Sequence, residues 1–412
     1  MANVSTGPSI LPSELWLEIL SAVVAVPGLF DTKWAYPPTE AIWEGAWATE
    51  STPHDSLRMR RNLIRVSREW CNLGRRFLFE DLVVDKRDKA QALAALFEQT
   101  AGLGSAGAAD APFGYGRWVK RVTIRNDIWF TEDAFPDLER LLQHCVNVQI
   151  LFINTDITDL SLLSRLIQPR FTRSLRRISI PRLPNRGTLP SHIFENSDPS
   201  LGLDWVAFPS NWLLRMFANT HESFTPVSLR NLSVLDITLR SNVTTLPTWS
   251  LPALRYLSLT NISDHDIPSL LPFMAINGGK LLGLSLGTAR RCDIWYKFLE
   301  YTPILAQIVV DDHDMETLRP PGSPTYPSIT QIGLVTISYV RASDVRRIQE
   351  GLAYTLGHNL FPNLRSVRIL ADAIPDTLTD DWAIAVDTAT KYGIRLEDRN
   401  RSLLGEKLPS AE

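Results

Sequence analysis

Between residues 119 and 369 a short apolar phrase of the form Leu-x-x-Leu-x-Leu recurs ten times. It opens at Val119, Val148, Leu175, Leu203, Leu232, Leu254, Leu281, Leu305, Ile329 and Leu364, with aliphatic or aromatic residues at its three fixed places. Successive openings lie 29, 27, 28, 29, 22, 27, 24, 24 and 35 residues apart. Because apolar residues are common, single matches arise by chance, and the shared phase of the phrases carries the weight. Pro252, Pro303, Pro327 and Pro362 each stand two residues before an opening, at Leu254, Leu305, Ile329 and Leu364. That order predicts a turn followed by a strand.

Phrase and period resemble leucine-rich repeats, whose unit is about 20–29 residues. The resemblance implies an α/β fold: a solenoid of short parallel strands and helices over residues 117–398, followed by a polar tail at 399–412. Amphipathic helices are expected between phrases, at 343–357 and 292–301, with a closing strand at Tyr392–Leu396. In a solenoid the fixed apolar positions stack into one core, while alternate strand residues face a concave surface. Those alternates, Arg121, Phe152, Arg177, Trp205, Asp236, Tyr256 and Arg368, are the candidate contacts for a target protein. Aromatic and arginine side chains are favoured at interface hot spots.

Ahead of the repeats, Leu11, Leu15, Ile19 and Val23 recur every four residues, with Pro12 at the start and Pro27-Gly28 at the end, predicting an amphipathic helix. A second helix is expected from Leu57 to Leu73, with Leu63, Val66, Trp70 and Leu73 along one side. Its other side carries Arg58, Arg60, Arg61, Arg65 and Arg68, continued by Arg75 and Arg76. An acidic partner would suit that charge, although solvation is the plainer reading.

LPSELWLEIL at 11–20 resembles the opening of an F-box, Leu-Pro-x-Glu-x-x-x-x-Ile-Leu, and VSREWCNL at 66–73 its closing element, with Ser67 and Arg68 in place of Cys and Lys. RRFLFEDLVV at 75–84 is similar to the phrase that leads into the first strand in large fungal F-box families. The resemblance implies a helical module over 9–85 that binds a Skp-type adaptor and, through it, a cullin scaffold. The implied adaptor contacts are Leu11, Pro12, Leu15, Ile19, Leu63, Val66, Trp70 and Leu73. It also implies a substrate receptor of a ubiquitin ligase with no catalysis and no cofactor of its own. An insert at 29–56 with Trp34, Trp43 and Trp47 departs from a minimal F-box. A helix near 89–100 and a Gly/Ala-rich joint at 101–116 are expected between module and repeats. A repeat scaffold unconnected to ubiquitin is the alternative.

Other classes fare worse. A net charge of -3 lacks the basic excess of a nucleic-acid binder. Apolar runs too short to span a bilayer predict no membrane segment. Cys71, Cys145 and Cys292 form neither a metal pair nor a disulfide framework, so the chain is expected in the cytoplasm or nucleus. Gly102-Leu-Gly104-Ser-Ala-Gly107 with Asp127 fits a dinucleotide fingerprint but lacks the strand before and helix after it. Gly283-Leu-Ser285-Leu-Gly287, with Asp311, His313, Asp344 and His358 downstream, fits a hydrolase elbow, yet its leucines share the repeat phase, making Ser285 an ordinary strand residue. The run Asp311-Asp312-His313-Asp314 is a cation candidate whose plainer reading is a solvated loop.

Overall fold

In the computed structural model, the described residues are 12–24, 52–101, 111–125, 133–154, 174–180, 205–209, 231–238, 251–260, 262, 266–287, 293–311, 325–335, 342–370, 379–398 and 403–404. Leu11, most of the insert with its three tryptophans, the Gly102–Gly107 pattern, Asp127, Cys292 and His313 lie outside them. The chain divides into two compact units: residues 1–32 with 46–175, and residues 33–45 with 176–412.

The first unit holds α1 (Ser13–Val24), α2 (Thr52–Leu63), α3 (Arg68–Phe79), β1 (Asp81–Val84), α4 (Arg87–Ala101), β2 (Arg121–Arg125), α5 (Phe135–Leu142) and β3 (Ile150–Asn154). The helix expected over 57–73 is two helices. Ser67 takes an extended conformation and its hydroxyl accepts from the Trp70 amide at 3.1 Å, so α3 starts afresh from an N-cap. Leu20, Val24, Leu63 and Phe77 form the core of the three helices, with Leu17, Trp70 and Leu73 packed against it. The expected joint at 101–116 does not part the compact units. Strand β1 pairs parallel with β2 (Asp81↔Arg121) and β2 with β3 (Thr123↔Phe152), so the strand following the helices is hydrogen-bonded to the first repeat.

The second unit holds β4 (Arg177–Ser179), β5 (Trp205–Pro209), β6 (Val234–Thr238), β7 (Tyr256–Thr260), α6 (Ile267–Asn277), β8 (Gly283–Gly287), α7 (Asp293–Leu299), β9 (Gln307–Asp311), β10 (Gln331–Val335), α8 (Ala342–Gly357), β11 (Ser366–Ile369), α9 (Thr379–Lys391) and β12 (Arg395–Glu397). Its strands pair parallel in chain order, each with its successor. Every one of the ten phrases opens two residues before a strand. In each phrase except Leu203's, whose side chains are not described, all three fixed positions are buried, as at Leu254, Leu257 and Leu259 or Ile329, Ile332 and Leu334.

The prolines do what their position predicts. The amides of Leu254, Leu305, Ile329 and Leu364 donate to the carbonyls of Leu251, Thr302, Tyr326 and Phe361, closing four-residue turns with proline second, where its fixed φ fits. Helix α6 is tied back by Asn277, fully buried, whose side-chain oxygen accepts from the Leu251 amide at 3.0 Å while its nitrogen donates to the Phe273 carbonyl. A further regularity links strands. The carbonyl just ahead of a strand accepts from two consecutive amides of the next: Lys120 from Gln149 and Ile150, Ser233 from Arg255 and Tyr256, Leu282 from Ala306 and Gln307.

Candidate functional site

The candidates fall into two sets, those of the helical module in the first unit and those of the strands, which belong to both units. In the helical module, α1 turns Leu20 and Val24 inward and presents Leu15, Ile19 and Val23 to solvent at 42, 42 and 51% exposure. The stripe that defines the helix in sequence is therefore its outer face, alongside exposed Pro12, Glu14 and Glu18. Met59 on α2 and Val66 in the turn after it are exposed at 44 and 62%. Contiguous exposed apolar patches are the kind of surface at which proteins meet partners, and these side chains are the candidates for one.

The adaptor candidates thus divide. Pro12, Leu15, Ile19 and Val66 are exposed; Leu63 is buried in the module's core, and Trp70 and Leu73 are half-buried against it, Trp70 with its ring centroid 5.4 Å from that of Trp16. Leu11 lies outside the described residues. Two of the arginines first read as a solvated face behave otherwise. Arg60 is buried and donates to the Phe77 carbonyl at 2.9 Å, with burial lowering its pKa and Asp81 and Glu80 opposing that. Arg75 donates to the Tyr115 hydroxyl at 3.0 Å. Nothing in the sequence pattern separates Arg60 from its neighbours; only its spacing of three from Leu63 hints at an inward position.

The strand face opposite the apolar core carries the target candidates, and much of it is closed. Phe152, Asp236 and Arg368 stand in the middle of their strands and are buried, so they offer a target no open surface, contrary to expectation. The cause is geometric: strands about 4.8 Å apart press a middle-row side chain between its two neighbours. Arg368 is committed to Glu397 across β11 and β12 at 2.9 Å. Asp236 is register partner to Ser258, itself partner to Ser285. Burial pushes the Asp236 carboxyl up to about 7, opposed by the Ser258 hydroxyl and the charge of Arg177. That hydroxyl is close enough to favour the charged form but falls short of a well-formed hydrogen bond. Further along, Val309, Val335 and Leu370 form an apolar cluster on the same face.

Arg121, Arg177 and Tyr256, at strand starts, keep partial exposure. Arg121 lies 3.8 Å from Asp81, whose carboxyl is pushed up by burial against the pull of Arg121, Arg60 and Arg125. Trp205 opens β5, and its side chain is not described. Ser285 occupies the middle of β8, extended and buried, where a nucleophile elbow would need a sharp strand-to-helix turn. Asp311 ends β9, and the rest of its acidic run lies outside the described residues. Among the described residues no group of acidic, His or Cys side chains is placed to hold a metal, and no helix is long and apolar enough to cross a membrane.

No family model matches the chain, and no curated protein matches it. Among solved structures it is similar to one described as the Rad7 and Elc1 complex in yeast, at 11% identity and a TM-score of 0.32, covering 82% of this chain and 95% of that one.

Proposed function

We propose that the protein is a non-catalytic substrate receptor of a Skp-cullin-type ubiquitin ligase, acting in the cytoplasm or nucleus. The helical module docks a Skp-type adaptor and the repeats hold a target protein. Exposed Leu15 and Ile19 on α1, with Val66 beyond them, carry this reading, because they fall within the two phrases that resemble an F-box, and exposed Val23 extends their row by one turn. Ligase chemistry belongs to the partners. Within the repeats, the strand-start residues Arg177, Trp205 and Tyr256 remain the target contacts, since the middle row is closed.

The test is co-purification of the full-length chain with a Skp-type adaptor. Leu15→Ala with Ile19→Ala removes exposed side chains only, so the circular dichroism spectrum stays as in wild type while the adaptor is lost. Adaptor retention by a folded double variant overturns the proposal.

A further inference from the structure

The helical module bears charge as well as apolar surface, and its charge is segregated. Arg58 and Arg61 lie three apart on α2 and so share one side of that helix, and Arg65 follows in the turn after it. Two of these arginines are followed in sequence by an exposed apolar residue, Met59 after Arg58 and Val66 after Arg65. Arg68 follows in the first turn of α3. All four arginines are exposed, and among the described residues none of the four forms an ion pair, whereas Arg60 and Arg75 of the same segment are hydrogen-bonded to the Phe77 carbonyl and the Tyr115 hydroxyl. On α1 the exposed row is flanked instead by Glu14 and Glu18.

We infer that the partner seated on this module is a protein whose surface offers an apolar groove bordered by carboxylates where it meets Arg58, Arg61, Arg65 and Arg68. This rests on the docking reading above and specifies its chemistry. A uniform polyanion fits less well. Phosphates would meet Glu14 and Glu18 and leave Leu15, Ile19, Met59 and Val66 in water, and an anionic membrane would meet the same carboxylates. Arginine is suited to the task because its planar fork pairs with carboxylates in two-point contact. Charges at a rim act chiefly on the association rate and its salt dependence.

The experiment measures association of the full-length chain with a purified Skp-type adaptor at about 50 mM and about 500 mM salt, above and below a Debye length of about 10 Å. Wild type is compared with the fourfold variants Arg58, Arg61, Arg65 and Arg68→Gln and the same four→Lys. Wild type should associate about tenfold or more slowly at high salt, the Gln variant should be slow at both, and the Lys variant should keep most of the salt dependence. Thermal melting confirms that the variants fold; if the Gln variant does not, the wild-type and Lys salt dependences decide alone. Equal, salt-independent rates for wild type and Gln variant overturn the charge inference and leave adaptor docking standing. Absence of any adaptor binding overturns both. Binding of a duplex DNA fragment, or of phosphatidylserine vesicles, lost in the Gln variant while adaptor association is unchanged, likewise overturns it.

Discussion

The buried guanidinium of Arg60 donates to the Phe77 carbonyl at 2.9 Å, joining α2 to the end of α3 beneath a surface that otherwise belongs to exposed arginines. Its charge also faces Asp81 at the head of β1. Arg60→Ala removes the hydrogen bond and leaves the Asp81 carboxyl with one cation fewer. Loss of one member of a buried charge group costs about 3 kcal/mol. Denaturant melts should register that loss, whereas Arg61→Ala, on the exposed side, should melt within about 0.5 kcal/mol of wild type.

Asp236 should tilt stability with pH. Its carboxyl titrates near 7 in the folded chain, above the unfolded value of about 3.9, so the folded state holds a proton that the unfolded state has given up. Stability is fullest below pH 4, declines as pH rises from about 4 to about 7, and then levels. At about 1.4 kcal/mol per pKa unit the span is at most about 4 kcal/mol. Asp236→Asn abolishes this contribution. The variant should gain on wild type in urea melts at pH 8 relative to pH 4.5; parallel pH profiles would show that the carboxyl is already compensated.

Gly283 and Tyr256 are register partners on β8 and β7, and a Cβ on Gly283 would come within 2.5 Å of Tyr256 Cδ1. Gly283→Ala must therefore displace the ring, and overpacking of this kind costs about 1–3 kcal/mol. Combining it with Tyr256→Ala should recover most of the loss, giving a coupling energy that a double-mutant cycle reads directly. An additive double variant would show that the two side chains do not meet.

Asn277→Ala strips the Leu251 amide of its acceptor inside the core. A buried donor left unsatisfied costs about 1–3 kcal/mol. Amide hydrogen exchange at Leu251 should accelerate along with the drop in melting temperature, and unchanged protection there would contradict the assigned bond.

The strands were legible because their grammar is local: Pro252 and Leu254 specify a turn and a buried position within a few residues, and the same pattern repeats. The break between α2 and α3 was not, because Leu63, Val66 and Trp70 continue one apolar stripe across it, and only the cap at Ser67 marks where the second helix begins. Nor was the role of Arg60, since a basic residue among basic neighbours reads as solvent-facing. Asp236 misled in the opposite sense. A polar residue alternating with leucine promises an open strand face, yet its burial is decided by side chains on neighbouring strands, such as Ser258 beside Asp236, which lie about twenty residues away and which no local pattern encodes.

The doubly accepting carbonyl ahead of several strands has an evolutionary corollary. Because Lys120, Ser233 and Leu282 each seat the following strand by main-chain atoms alone, register passes from unit to unit independently of side-chain identity and of the number of residues in between. Neighbouring phrases can then be 22 residues apart at one step and 35 at another with no slip in the ladder. Lineages of such chains are free to lengthen or trim their connections, and with them to diversify what they recognise, while the alignment of the strands is inherited intact.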